Sequence, residues 1–482
     1  MMLFGVALSR TLTRVSIARA RTAGFEMVWT TPHFRSRALR GQEIILTCEL
    51  RNHDNLPTKF EGLRISHSPC LSVSSSLSAG EVPANGGLCL KLRVRSLRVG
   101  FHGIHNLVIH TIRAPGLYTV PLSFSNPYVI EVLPQTKRLT LLQRGGGTSQ
   151  QLTSRSRGTI QRGHGSEFLE IREHRPGDAF RRIAWKASAR KGRLLVIENE
   201  QEETDVVWIV VDMSTANMLG ICGQTPFDRV VDEVAALTQA HLRTGCRVGL
   251  SMIGQRRLAH IPPGRGPRHK ANILQALTFK SHCADEDRCG WDKNDVARKV
   301  LEHARTIDSR GEHILPYDFE KIGKLALELM VHAPAPLLKV WSTTKWDHIF
   351  RQYLLAFGVH FPPNEKSDRH RVEGELTVVL KEILRARGRP SLIHLLGHAP
   401  TFETPRSLLE LIGRMRHHRT EVRFTPIVSE GGEPNELDNA LSSGTNLTTA
   451  VLNEAVKLRK RMNFDEGLDE LRRLGAKIQR PL

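Results

Sequence analysis

The sequence predicts an all-β sandwich followed by an α/β domain with a mainly parallel sheet. Three observations carry this. Residues 40–135 hold short, partly alternating apolar runs broken by turn-forming residues, the pattern of half-buried strands. From residue 167 onward, continuous apolar runs alternate with stretches of helical spacing, the pattern of strands buried on both faces and their crossover helices. Between them, residues 136–166 include the tract QRGGGTSQQLTSRSRGTIQRGHGS, which is almost without apolar residues and reads as a flexible linker. A chain of 482 residues exceeds one ordinary core, and its 40% hydrophobic content is enough for packed domains.

In chain order, residues 1–39 form a basic N-terminal segment. MMLFGVALSRTLTRVSIARARTAGF starts apolar and then places Arg10, Arg14, Arg19 and Arg21 in quick succession, as a chain does just after leaving a membrane on the cytoplasmic side. An amphipathic surface helix or a transit-like segment fits the same residues. In residues 40–135, EIILTCEL, FEGLRIS, LCLKLRVRSL, HNLVIHTI and YVIEVL are the strands of an Ig-like sandwich, separated by NHDNLP, EVPANGG, RAPG and SNP. Residues 167–280 and 389–482 make up the α/β domain. DVVWIVVDM is its first strand, and PFDRVVDEVAALTQAHLRTG puts Phe227, Val230, Val231, Val234, Leu237 and Leu242 near helical spacing, with Gly245 as a stop. RVGLSMIG and SLIHLLG are further strands, HKANILQALTF and PRSLLELIGRMRHH are helices, and EVRFTPIV is a strand. TTAVLNEAVKLRKRM and FDEGLDELRRLG read as two closing helices before AKI. Residues 281–388 interrupt the pattern as a helix-rich insert.

The charge balance is strongly basic: 69 Lys+Arg against 49 Asp+Glu, net +20. It favours an acidic partner, whether nucleic acid, anionic lipid or an acidic protein face. No zinc-finger or RNA-recognition pattern is present, so no specific nucleic acid is expected. The seven cysteines are scattered and odd in number, which argues against a disulfide framework and for a reducing compartment. HCADEDRC spaces two of them closely but lacks the second ligand pair of a zinc site. No Gly-x-Ser-x-Gly elbow, HExxH or phosphate-binding loop ending in Gly-Lys-Ser/Thr occurs, and no catalytic residue is assigned.

The densest basic block is REHRPGDAFRRIAWKASARKGRLLVIENE. Arg-Pro-Gly-Asp is a turn in which Asp178 suits an N-cap. Phe180, Ile183, Ala184 and Ala187 then fall on one helical face, and Gly192 is placed to end the helix. Phe180 and Trp185 read as core residues, and Asp178 and Trp185 as anchors of a turn, short helix and strand.

This block resembles the signature of the bacterial domain-of-unknown-function 58 family. The matching positions are Gly165, Phe168, Arg172, Glu173, His174 (where the family has Tyr), Pro176, Gly177, Asp178, Arg182, Ile183, Trp185, Ala189, Arg190, Leu195 and Glu198. RVGFHGIHNLVIHTIRAPGLYTV, with Pro115-Gly116-Leu117, is similar to the end of the family's β-sandwich. The resemblance implies a degenerate von Willebrand factor A-like α/β domain, a non-catalytic scaffold role, and a MoxR-type AAA+ ATPase as partner at the inner face of the cell membrane. The family's membrane hairpin is missing from this chain, whose start is therefore expected to be internal or shortened. A von Willebrand A domain holds Mg²⁺ through Asp-x-Ser-x-Ser, a distant Thr and a distant Asp. Here Asp212 and Ser214 match, the second Ser is Ala216, Gly397-His398 stands where the acidic ligand would be, and Thr445 comes late in the order. The expectation is a degenerate site with no cofactor.

Overall fold

The computed structural model describes residues 5–12, 14–15, 24–31, 35–113, 118–135, 162–175, 180, 183–200, 205–334, 338–386, 388–401, 404–418, 420–428 and 447–482. The β region is two sheets. The first has the order β1 (Glu26–Trp29), β3 (Glu43–Asn52), β7 (Gly86–Ser96), β5 (Leu71–Ser75). The second runs β2 (Arg35–Leu39), β10 (Tyr128–Leu133), β8 (Gly100–Arg113), β4 (Thr58–His67), β6 (Ala79–Val82), with β9 (Tyr118–Phe124) also pairing β8. Alternate residues of both sheets, among them Leu46, Leu50, Leu90, Leu92, Ile104 and Ile130, meet in one buried core, as the period of two requires. The sheets begin earlier than residue 40: β1 pairs with β3, and β2 pairs parallel to β10. The short, polar β2 sequence RSRAL has no apolar alternation to reveal it.

The second domain is a six-stranded sheet of order β15-β14-β13-β16-β17-β18, parallel except where β14 meets β15. The strands are β13 (Val206–Asp212), β14 (Arg247–Ile253), β15 (Arg257–Gly264), β16 (Leu392–Gly397), β17 (Glu421–Pro426) and β18 (Lys477–Ile478). In β13, Ile209 and Val211 face one buried core while Val206, Trp208 and Val210 face another. Helices therefore cover both faces. On the first lie α2 (Pro226–Arg243), α3 (Pro267–Phe279), α4 (Lys293–Ile307), α5 (Phe319–Met330) and α6 (Lys345–Ala356); on the second lie α7 (Arg369–Arg385), α8 (Arg406–His417) and α9 (Leu447–Arg473). The helix α1 (Trp185–Lys191) belongs to the signature segment described below. α2 buries Phe227, Val230, Val231, Val234 and Leu237, as the spacing predicts, and Thr225 and Asp228 close a capping box at its start.

Three elements differ from the sequence reading. α7 falls inside the expected insert, yet its Val372, Leu376, Val379 and Leu380 pack on the sheet as a layer helix. The two closing helices are one continuous helix, α9. Strand β15, RLAHIPPG, carries prolines that argue against a strand; it is an edge strand, where a missing N–H breaks no ladder.

The two domains share a core. Phe101 and Val129 of the second β sheet, with Val99 just before β8, join the α/β cluster, and the Phe101 and Phe279 rings lie 5.5 Å apart. Arg98, buried, bonds Asp228 of α2 through Nε to Oδ1 at 3.1 Å and donates Nη2 to Thr225 Oγ1 at 2.9 Å. Arg40 donates to the Gly223 carbonyl at 2.8 Å and pairs with Asp232 at 2.5 Å. Ser68 Oγ donates to the Gly358 carbonyl at 2.7 Å. Cys70 and Cys222 are joined by a disulfide across this junction. That corrects the expectation of unpaired thiols: cysteines 152 residues apart in sequence are neighbours in the fold, and cysteine usage no longer argues for a reducing compartment. Among the described residues, no helix is long and apolar enough to cross a membrane.

Candidate functional site

In an open parallel sheet, ligands bind beyond the carboxyl ends of the strands where the strand order reverses. Here β13 is followed by β14 on one side and paired with β16 on the other, so the reversal lies between β13 and β16. These strands end at Asp212 and Gly397, bringing Asp212, Ser214 and His398 together. Asp212 Oδ1 accepts from the Ser214 N–H at 2.8 Å. Asn217 donates Nδ2 to the Asp212 carbonyl at 3.1 Å and to Ser214 Oγ at 3.2 Å. Ser214 Oγ lies 3.4 Å from His398 Nε2.

Two members of this cluster were not legible in the sequence. Asp368 precedes α7 but makes no side-chain cap there; instead its Oδ2 accepts from the Thr215 N–H at 3.1 Å, across 153 residues. Burial holds its carboxyl above the ordinary range, and nearby Asp212 pushes the same way. Asn217 is buried with its Oδ1 lacking a hydrogen-bond partner. Asp368 carries a helix-start signal in the sequence, but no local pattern shows that it points away from its own helix.

The residues do not fit a magnesium centre. Mg²⁺ demands several oxygen ligands in near-octahedral array. Asp212 Oδ1, Ser214 Oγ and Asp368 Oδ2 already accept N–H groups, and His398 brings an imidazole where an acidic ligand would sit. Among the described residues, no three His, Cys, Asp or Glu side chains gather to hold a metal. Thr445 lies outside the described residues. Cys283 and Cys289 are both buried and separately engaged: Cys283 Sγ meets Met218 Sδ at 3.3 Å, and Cys289 Sγ accepts from the Trp291 N–H at 3.3 Å.

Asp368 also lines a cleft of about 550 Å³, together with Gln255, Glu286, Asp287, Trp341 and Arg371. Its walls are built. Glu286 accepts from the Thr343 N–H at 2.6 Å, Arg371 donates to Gln255 at 2.9 Å, and the Arg256 guanidinium lies 5.0 Å over the Trp341 ring. Burial raises the Asp287 carboxyl above its usual range.

The signature residues form a separate element. β11 (Arg162–Glu173) and β12 (Leu195–Glu200) pair antiparallel, with α1 between them. The linker expected through residue 166 thus gives way to strand at Arg162. α1 starts at Trp185, with Ala184 at the N-cap position and no side-chain cap, and not behind Asp178. The reason is backbone pairing: Ile183 bridges to Val196, and the Ala184 N–H donates to the Leu195 carbonyl at 2.8 Å, so these residues stay extended. Gly192 ends the helix in left-handed conformation, φ 64°, as predicted. Phe180 and Trp185 are 75% and 59% exposed, which overturns their reading as core residues and that of Trp185 as an anchor. Ile183 is buried, Glu173 pairs with Arg193, Arg172 Nη1 donates to the Glu173 carbonyl at 2.8 Å, and Arg190 is exposed in the last turn of α1. Pro176, Gly177, Asp178 and Arg182 lie outside the described residues, as does Pro115-Gly116-Leu117.

Residues 170–310 match the family described as "Protein of unknown function DUF58". The signature resemblance holds: these residues are a DUF58 segment. Over 188 residues the chain is 24% identical to the "Uncharacterized protein YeaD" of Bacillus subtilis (strain 168), covering 39% of this chain and 44% of YeaD. It is 30% identical over 119 residues to the "Uncharacterized protein Rv1480" of Mycobacterium tuberculosis (strain ATCC 25618 / H37Rv), covering 24% of this chain and 36% of that protein. The matched stretch spans less than half the length of either relative. Among solved structures, the PapD-like domain 7 of human CEP192 matches at TM-score 0.19 and 11% identity, covering 23% of this chain and 87% of that one. WR4, a C. elegans MSP family member, matches at TM-score 0.16 and 12% identity, covering 23% and 97%. Likeness at these scores says nothing about the fold of this chain.

Proposed function

We propose that this DUF58 chain is a non-catalytic binding scaffold that offers the reversal-point crevice of a von Willebrand A-like sheet to a MoxR-type AAA+ ATPase in a membrane-associated assembly. The carrying observation is the crevice itself. Asp212, Ser214, Asn217 and Asp368 hold one another in a fixed array beside a preformed cleft. Ser214, Asn217 and Asp368 are buried and fix the strand-end loop, and the cleft beside them offers the accessible surface. Ser214 is only 2% exposed, which supports a structural rather than a nucleophilic role. The strand order and the Asp212-x-Ser214 turn support the von Willebrand A-like reading. The shared core between the domains supports the reading of a rigid platform.

The test is binding of the full chain to the purified MoxR-type ATPase of its own organism, with and without ATP. Asp368→Ala and Asp212→Lys should each weaken binding at least about tenfold, the scale of losing an oriented charged contact. If the wild-type chain shows no affinity for the ATPase, the reading fails. It also fails if both variants bind as wild type does.

A further inference from the structure

We propose that the tip of the β11–α1–β12 ribbon docks on an anionic lipid bilayer, with Phe180 and Trp185 entering the interface and the neighbouring cations resting on lipid phosphates. The inner side of α1 is tied down. The Leu195 N–H donates to buried Ser188 Oγ at 2.9 Å, and Ala184 bonds the Leu195 carbonyl. Trp185 at the start of α1 is exposed, and its ring lies 6.5 Å from that of exposed Phe180. Leu194 and Ile171 of the same ribbon are 46% and 43% exposed.

The charge around these rings is one-sided. Among the described residues from Ile171 to Val196, Arg172, Arg175, Lys186, Arg190, Lys191 and Arg193 stand against Glu173. Glu173 is already paired with Arg193. Lys186, Arg190 and Lys191 are exposed.

A bilayer interface rewards all three features together. Aromatic rings settle at the headgroup level, aliphatic side chains reach the acyl boundary, and Lys and Arg gain from anionic lipid. Duplex DNA would use the cations but gain nothing from exposed Leu194, Ile171 and Phe180. This surface is distinct from the reversal-point crevice, so its docking stands or falls separately from the ATPase reading.

The experiment is co-sedimentation of the full chain with vesicles of phosphatidylcholine alone or with about a third phosphatidylserine, at low and high salt. Binding is expected on the anionic vesicles only, weakening as salt rises. Phe180→Ala with Trp185→Ala, and separately Lys186→Glu with Arg190→Glu, should each cut binding at least about tenfold, since each removes two interfacial contacts. All four side chains are exposed, and an unchanged thermal midpoint will show that the fold is intact. The proposal is overturned if the wild type ignores anionic vesicles, or if either double variant binds them like wild type. Equal loss of binding to a short DNA duplex, with vesicle binding unaffected, would overturn it in favour of nucleic acid.

Discussion

At the scale of single residues, burial decides which charges matter. Arg98 and Asp228 side chains are 5% and 0% exposed, and Asp228 also accepts from the Gly223 and Thr225 N–H groups at 2.9 and 3.2 Å. Arg98→Ala strands a buried carboxylate, so it should lower unfolding stability by about 3–5 kcal/mol in urea titrations. Arg51→Ala, whose pairs are solvent-exposed, should cost under about 1 kcal/mol. Histidines set the acid limit. Burial pulls His102, His105, His241, His282 and His360 from 6.5 down to about 4, and His303 to about 3. His394, whose Nε2 lies 2.9 Å from that of His241, is also pulled well below its ordinary value. Because the folded values lie below the unfolded one, the unfolded chain takes up protons first as pH falls. Stability present above about pH 6.5 is therefore lost toward pH 4, at about 1.4 kcal/mol per pH unit for each such histidine. Urea midpoints that stay level between about pH 7 and pH 5 would contradict this.

At the scale of elements, periodicity was legible and partnership was not. α2 could be read from Phe227, Val230, Val231, Val234 and Leu237 because one buried face dictates its spacing. The helix α1 misled the reading because a seven-residue element has too few positions for periodicity to outweigh backbone pairing. Its Ile183 and Ala184 are claimed by β12, which no helical wheel reveals. Ser188 is the joint between the two. Ser188→Ala leaves the Leu195 N–H without its acceptor and should cost about 1–3 kcal/mol locally. Faster hydrogen exchange at Leu195, with the α/β core unchanged, is the expected readout. In the candidate site, Asp212 and Ser214 were visible as a strand-end pair, while Asp368 was not, because its bond to Thr215 spans 153 residues, and Asn217 was not, because no residue pattern marks its local bonds to Asp212 and Ser214.

At the scale of the molecule, the two domains behave as one body. Gly358 has φ +74°, and a Cβ there would meet the Gly103 backbone nitrogen at 2.8 Å. Gly358→Ala adds both strain and a clash where the domains touch, and should open the junction to limited proteolysis. Intact resistance would show that the contact is dispensable. The Cys70–Cys222 disulfide closes a long loop, and removing it as Cys70→Ser should lower stability by about 2–5 kcal/mol. The Arg98–Asp228 pair and the shared core should keep the reduced chain folded at neutral pH, with a lower thermal midpoint.

The sequence by itself determined the order of the two domains, the faces of the long helices and the doubly buried strands, since these follow from hydrophobic spacing within a few turns of chain. It also carried the DUF58 signature, a pattern of residue types at fixed separations. Only the tertiary structure decided that Phe180 and Trp185 face outward, that Cys70 reaches Cys222, and that Asp368 meets Thr215 at the end of the sheet. Each of these is a contact, or a missing one, between segments far apart in the chain. Local spacing sets what a segment can bury, and the packing of distant segments sets what it does bury.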